Sequence, residues 1–210
     1  MLILASASPR RQELLKNAGI SFSVQPANLP EEHRARETPE SCVRRLAREK
    51  AEAVARQVDV DGVILAADTE VVLDLKRGIP LGKPRDARDA IQMLKTLSGR
   101  IHYVITGVCL AWKEKNGWKV EDSAEITLVQ MQKISDAEIE DYVATGEPMD
   151  KAGAYAIQGI ASRWIPRIEG CYFNVVGLPV PLVYRMLCEN APQTLEAQPG
   201  LPTRRDERKY

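Results

Sequence analysis

The sequence predicts an α/β protein on three observations. These are a short buried strand running into a capped helix at the N-terminus, a continuous apolar run in the middle, and two long strands joined by a tight turn. Leu2, Ile3 and Leu4 read as the first strand, and the chain turns at Ala5-Ser6-Ala7. Ser8 suits a helix N-cap, Pro9 the first helical position and Gly19 the residue past the end, with Leu14, Leu15 and Ala18 as the apolar stripe between them. Arg10 and Arg11 then fall in the first turn, where the macrodipole is already positive and each cation costs roughly 0.3–1 kcal/mol. A bound anion reverses that sign, because free N–H groups, hydroxyls and guanidinium forks aim their donors at one place. The segment therefore predicts a phosphate site.

Thr38-Pro39-Glu40 opens a second helix, with Val43, Leu46, Ala47 and Val54 at helical spacing. Its charges fall largely off that stripe and can pair as Arg45–Glu49, Arg48–Glu52 and Glu52–Arg56. Lys50 lies on the stripe itself, where it must snorkel or meet an anion, and where methionine would suit the position at least as well. Val63 to Ala67 is a continuous apolar run, as in a strand covered on both faces; Asp68-Thr69 interrupts it before Val71-Val72-Leu73 resumes. A carboxylate placed there is held by backbone N–H groups, ligates a metal or acts as a base.

Asp74 to Gly78 predicts a hairpin turn, followed by Gly82-Lys83-Pro84, which presents Lys83 between a permissive and a stiff residue. This is not a Walker A loop, since Pro84 stands where a metal-binding hydroxyl belongs. Asp86 caps a helix ended by Gly99; strands over about 101–112 and 118–132 follow, joined through Asn116-Gly117. Ser135 to Glu138 is a capping box for a short helix ending near Gly146. Between Lys151 and Pro179, repeated glycines beside aromatics and amides predict loops where backbone approaches a ligand. A last helix covers about 181–189, and the proline- and charge-rich tail over 191–210 predicts disorder.

Composition excludes several classes. At 210 residues the chain suits one domain, or one with two lobes, and it carries 29 basic and 29 acidic side chains. Zero net charge and the lack of a DNA-binding motif argue against nucleic acid as a partner and against an anionic membrane. No run is long enough to span a bilayer or to form a signal-peptide core, which points to the cytoplasm. The four cysteines, Cys42, Cys109, Cys171 and Cys188, are scattered and read as reduced thiols, not a disulfide frame or a zinc site. With only His33 and His102, a serine triad or multi-histidine zinc centre is hard to build. Any catalysis must then rest on carboxylates, lysines and arginines, which favour oxygen-ligated Mg²⁺ or Mn²⁺.

The motifs Ser6-Ala-Ser-Pro-Arg-Arg11, Glu31-Glu32, Leu46-Ala-Arg-Glu-Lys50, Ala67-Asp-Thr69, Gly82-Lys-Pro84, Lys151 to Gln158 and Val176-Gly-Leu-Pro179 occur in succession. Over residues 1–190 this ordered set resembles the Maf family of nucleoside triphosphate pyrophosphatases. The resemblance implies an elongated mixed sheet with flanking helices and two lobes around a cleft, like the inosine triphosphate pyrophosphatases. It implies metal-assisted hydrolysis of a nucleoside triphosphate to a monophosphate and pyrophosphate. It assigns Ser8, Arg10, Arg11, Lys50 and Lys83 to the phosphates, and Asp68 to the base and the metal. Glu32 is the second metal carboxylate, with Glu31 its substitute. Arg10, Thr69 and Gln158 match positions of substrate selection, and the segment around Gln158 looks like the type acting on dTTP and UTP. A homodimer is compatible with the resemblance. A purine-directed pyrophosphatase and a non-catalytic nucleotide-binding regulator of cell division are the alternatives; the carboxylate Asp68 argues against the regulator, because binding a triphosphate alone favours cations.

Overall fold

One mixed sheet of six strands organises the molecule, in a computed structural model that describes residues 1–196 apart from 59–61, 77, 79 and 116. In spatial order the strands are β2 (Phe22–Val24), β1 (Leu2–Leu4), β3 (Val63–Val72), β4 (Ile101–Glu114), β5 (Gly117–Gln130) and β6 (Arg167–Glu169). The first three run parallel and the rest pair antiparallel. Three details differ from the sequence expectation, the first being β6, which lies where loops are expected. The short edge strand β2 carries no alternation strong enough to reveal it. And Asp68-Thr69 does not divide two strands: β3 runs unbroken through both residues, paired with Gly107 and Thr106 of β4.

The helices are α1 (Pro9–Asn17), α2 (Pro39–Ala55), α3 (Ala87–Leu97), α4 (Asp136–Ala144), α5 (Tyr172–Val176), α6 (Val180–Asn190) and α7 (Gln193–Glu196). Their starts follow local capping chemistry: Thr38 accepts from the Ser41 N–H, Asp86 from the Asp89 N–H, and Ser135 and Glu138 cap reciprocally. Ser8 has the extended backbone of an N-cap, but its hydroxyl makes no capping bond. The turn before β5 includes Gly117 at φ +115°, while Asn116 lies outside the described residues. Beyond Ala191, where the sequence suggested a tail without order, the chain continues into α7, and Ala191 and Leu195 are buried. Residues 197–210 lie outside the described part.

Alternation along β3 distributes the core. Ile64 and Ala66 pack beneath Ala47, Ala51 and Val54 of α2, and Val72 lies with Val43 farther along the same face. On the other face Leu65 and Ala67 join Leu15 of α1 and Leu182, Val183 and Leu187 of α6. Val71 on that face belongs to a separate cluster with Leu94 and Leu97 of α3, Tyr142 of α4 and Trp164. The polar residues Asp68, Thr69 and Glu70 therefore occupy the middle of a strand whose two ends are both buried in apolar clusters. Gly107, opposite Asp68, lets α2 settle onto the sheet: a Cβ there would stand 2.3 Å from the Val43 carbonyl.

Candidate active site

A cleft of about 440 Å³ opens at this polar interruption. Its floor is Asp68 and Thr69 of β3; its walls are the β1–α1 turn, the 26–31 loop, Lys50 of α2, Lys83, and the 150–158 segment. Ser8, Arg10, Arg11, Lys50, Asp68, Thr69, Lys83 and Gln158 all line it, so residues spread over most of the chain meet in one place. Of the two adjacent glutamates, Glu31 faces the cleft; Glu32 does not line it, and its carbonyl accepts a bond from Arg45.

Lys50 resolves the conflict set by its position on the apolar stripe. Buried with its side chain only 8 % exposed, it donates to Asp68 Oδ1 at 2.6 Å and to Glu31 Oε1. It meets anions supplied by the protein. Burial alone would raise the Glu31 carboxyl, but the Lys50 bond and charge, with Lys83 and Arg11 behind them, hold it below its ordinary value. Both carboxylates converge on the Lys50 ammonium, and carboxylate oxygens are the donors that a hard divalent cation takes; Glu31, not Glu32, lies in the cleft with Asp68.

The two arginines of the first helical turn differ. Arg11 is a strut: Nε donates to the Gly177 carbonyl at 2.9 Å, Nη1 to the Ala67 carbonyl at 2.7 Å and Ser6 Oγ at 3.2 Å, and Nη2 to Thr69 Oγ1 at 3.1 Å. Burial pushes its guanidinium down from the ordinary value, opposed by Asp68 and Glu31. Four of its five N–H groups are thus held by protein oxygens, which leaves little of it for a phosphate. Arg10 reaches the opposite wall instead, pairing with Asp150 Oδ2 at 2.9 Å, while Lys151 donates to Asp150 Oδ1 at 2.5 Å. Against its burial, those two cations keep the Asp150 carboxyl low. Sequence reasoning missed Asp150, whose only signal is its place immediately before the Lys151–Gln158 motif.

Other donors are uncommitted among the described residues. Lys83 is exposed and makes no ion pair, the Ser8 hydroxyl makes no hydrogen bond, and the amide of Gln158 is exposed at the rim. The Lys83 loop is fixed from behind, because the Gly153 N–H donates to the carbonyls of Leu81 at 2.9 Å and Gly82 at 3.1 Å. Gly153 adopts φ +70° there, with Val71 where a Cβ would go.

An α/β fold whose cleft combines free cationic and hydroxyl donors with a carboxylate pair defines a protein that receives an anionic small molecule. Residues 1–190 match the family described as Maf-like protein, and the chain belongs to that family. It is 56 % identical over 187 residues to the dTTP/UTP pyrophosphatase of Koribacter versatilis, covering 89 % of this chain and 92 % of that one. It is 50 % identical over 192 residues to the dTTP/UTP pyrophosphatase of Syntrophomonas wolfei, covering 91 % and 98 %. Among solved structures it is similar to the Staphylococcus aureus Ham1 protein, with a TM-score of 0.43 at 14 % identity over 62 % of this chain and 71 % of that one.

Proposed function

We propose that this protein hydrolyses dTTP and UTP between the α- and β-phosphates, releasing the monophosphate and pyrophosphate. The observation that carries the reading is the Asp68–Lys50–Glu31 cluster at the floor of a cleft whose walls hold unpaired phosphate donors. The names of the similar proteins from Koribacter versatilis and Syntrophomonas wolfei agree with it.

Such hydrolysis needs charge neutralisation, an oriented water and excluded solvent more than covalent help. Asp68 accepts the proton of the attacking water as its oxygen bonds to phosphorus and pyrophosphate leaves. Lys50 holds that carboxylate in place, and Lys83, Ser8 and Arg10 bind the phosphate oxygens. Arg11 positions the floor by tying the β1–α1 turn to β3 and to Gly177. The oxygens of Glu31 and Asp68 suit Mg²⁺ or Mn²⁺, which when bound supplies further neutralisation of the phosphate charge. Gln158 reads the base: uracil and thymine share an acceptor–donor–acceptor edge, to which an amide offers one acceptor and one donor.

The test is release of pyrophosphate from dTTP, UTP, CTP, ATP and GTP by the wild type and by Asp68→Asn. We expect kcat/KM highest and nearly equal for dTTP and UTP, and a loss of at least ~100-fold in Asp68→Asn with the fold retained, the usual scale for a general base. Near-normal turnover in that variant would remove Asp68 from the mechanism.

A further inference from the structure

A second polar cluster lies behind the cleft, between β3 and α2. Glu70 is only 6 % exposed, and its carboxylate oxygens make no well-formed hydrogen bond among the described residues, with the Cys42 thiol and the His33 ring as their polar neighbours. Burial raises this carboxyl to about 7, so the group is relieved by taking up either a proton or a cation. Its neighbours are themselves metal-ligand types. His33 Nε2 stands 3.4 Å from Glu70 Oε1, and His33 Nδ1 stands 3.4 Å from Cys42 Sγ. One donor atom from each of the three side chains lies within 4.8 Å of the others.

We infer that His33, Cys42 and Glu70 form a binding site for a thiophilic divalent cation of the Zn²⁺ type. Metal–ligand bonds of about 2.0–2.3 Å at a tetrahedral centre separate the ligand atoms by roughly 3.3–3.8 Å, and this cluster already comes close to that size. One nitrogen, one sulfur and one carboxylate oxygen suit zinc and are the wrong set for Mg²⁺. The imidazole lies between its partners and is half-exposed, with 49 % of its side-chain surface open. A turn of that ring directs one nitrogen to the common centre and leaves a path for the ion and a fourth ligand from solvent. On binding, the metal–sulfur bond replaces the thiol S–H bond and the proton passes to water.

The surroundings hold the sulfur in place without ionising it. Arg45 Nη2 donates to Cys42 Sγ at 3.6 Å, and Arg45 is in turn held by both oxygens of Glu37 at 2.7 Å. Burial and the Glu70 and Glu37 carboxylates outweigh that cation and push the Cys42 thiol well above its ordinary value, so the thiolate forms only as the ion replaces its proton. The three ligands come from the segment before α2, from α2 itself and from β3, so no Cys-x-x-Cys or His-x-x-His spacing reveals them in the sequence. A bound ion would join these elements and fix the loop that carries Glu31, whether or not the chain turns over nucleotides.

The experiment uses the full chain, freed of metal with a chelator and then given Zn²⁺ or Co²⁺ alone. We expect one equivalent of zinc retained after desalting, a rise in Tm on its addition, and a thiolate-to-cobalt charge-transfer band with Co²⁺. Outer partners of metal ligands are worth about 10–100-fold in affinity, so His33→Ala, which removes a ligand, should weaken zinc binding by more than about 100-fold. Cys42→Ser should abolish the charge-transfer band, and Glu31→Gln should keep the zinc. His33→Ala changes a half-exposed loop residue, so it decides the matter even if Cys42→Ser does not fold. Absence of retained zinc, or equal retention and an equal rise in Tm in His33→Ala, would overturn the proposal. So would zinc that survives in His33→Ala and is lost in Asp68→Asn, since that ion would sit in the cleft.

Discussion

At the scale of single residues, Lys50 illustrates how a partner reverses an expectation. On the stripe alone, methionine suits the position; in the structure the ammonium is the counter-charge of two carboxylates, one of them buried. Lys50→Met should therefore destabilise the protein by about 3 kcal/mol, because Asp68 is left without its partner. Urea unfolding measures this, and unchanged stability would mean that water reaches Asp68 freely. His102 gives the pH dependence. Burial lowers its pKa from 6.5 to about 4, and Nε2 is bonded to the Tyr155 hydroxyl at 2.8 Å. The folded state thus keeps the ring neutral while the unfolded chain takes up a proton below 6.5. Stability from this group is fully present above pH 6.5 and is lost as pH falls towards 4, a change on the order of 3 kcal/mol. The slope of unfolding free energy against pH across that window should shrink in His102→Phe. For Gln158, replacement by glutamate should reduce kcat/KM for dTTP and UTP while narrowing their advantage over CTP, because a carboxylate cannot donate to a carbonyl. Equal wild-type values for CTP and UTP would sink the base-reading role.

At the scale of elements, the contact of α2 with the sheet depends on Gly107. A Cβ there meets backbone, not a flexible side chain, so Gly107→Ala should cost at least about 2 kcal/mol and disturb Lys50 with it. A drop in Tm accompanied by a loss of turnover larger than the unfolded fraction explains would confirm that α2 sets the site. Elements with strong local signals were legible from sequence: Thr38, Asp86 and the Ser135–Glu138 box start their helices as capping chemistry requires. The edge strand β2 was not, since three residues, two of them exposed, carry no period. Side-chain partners across the fold were the least legible. Arg48, which sequence spacing pairs with Glu52, instead binds Asp122 of β5, and Arg11 spends its donors on backbone carbonyls. The membership of the cleft was readable, because Ser8, Lys50, Asp68, Lys83 and Gln158 do converge, but the choice between Glu31 and Glu32 depends on a loop whose path no periodicity encodes.

At the scale of the molecule, every lining residue of the cleft lies between Ala5 and Gly177, which predicts where the chain can be shortened. Removing residues 197–210 should leave turnover unchanged. Cutting at Ala191 should lower Tm, since Ala191 and Leu195 complete the cluster over α6; equal Tm values for the two truncations would contradict this. Among the described residues no helix is long and apolar enough to cross a membrane. The unbroken pairing of β3 has a mechanical consequence. Ten consecutive residues of that strand are in register with β4, and Arg11 ties the strand to the turn above it. The base of the cleft therefore behaves as a fixed bed, and any tightening around a bound nucleotide must come from the loops standing on it. Amide hydrogen exchange should record this as slowing over residues 26–31 and 150–158 when nucleotide is added, with β3 equally protected in both states. Specificity in this molecule can then be re-tuned by exchanging loops, without re-engineering the strand that holds Asp68.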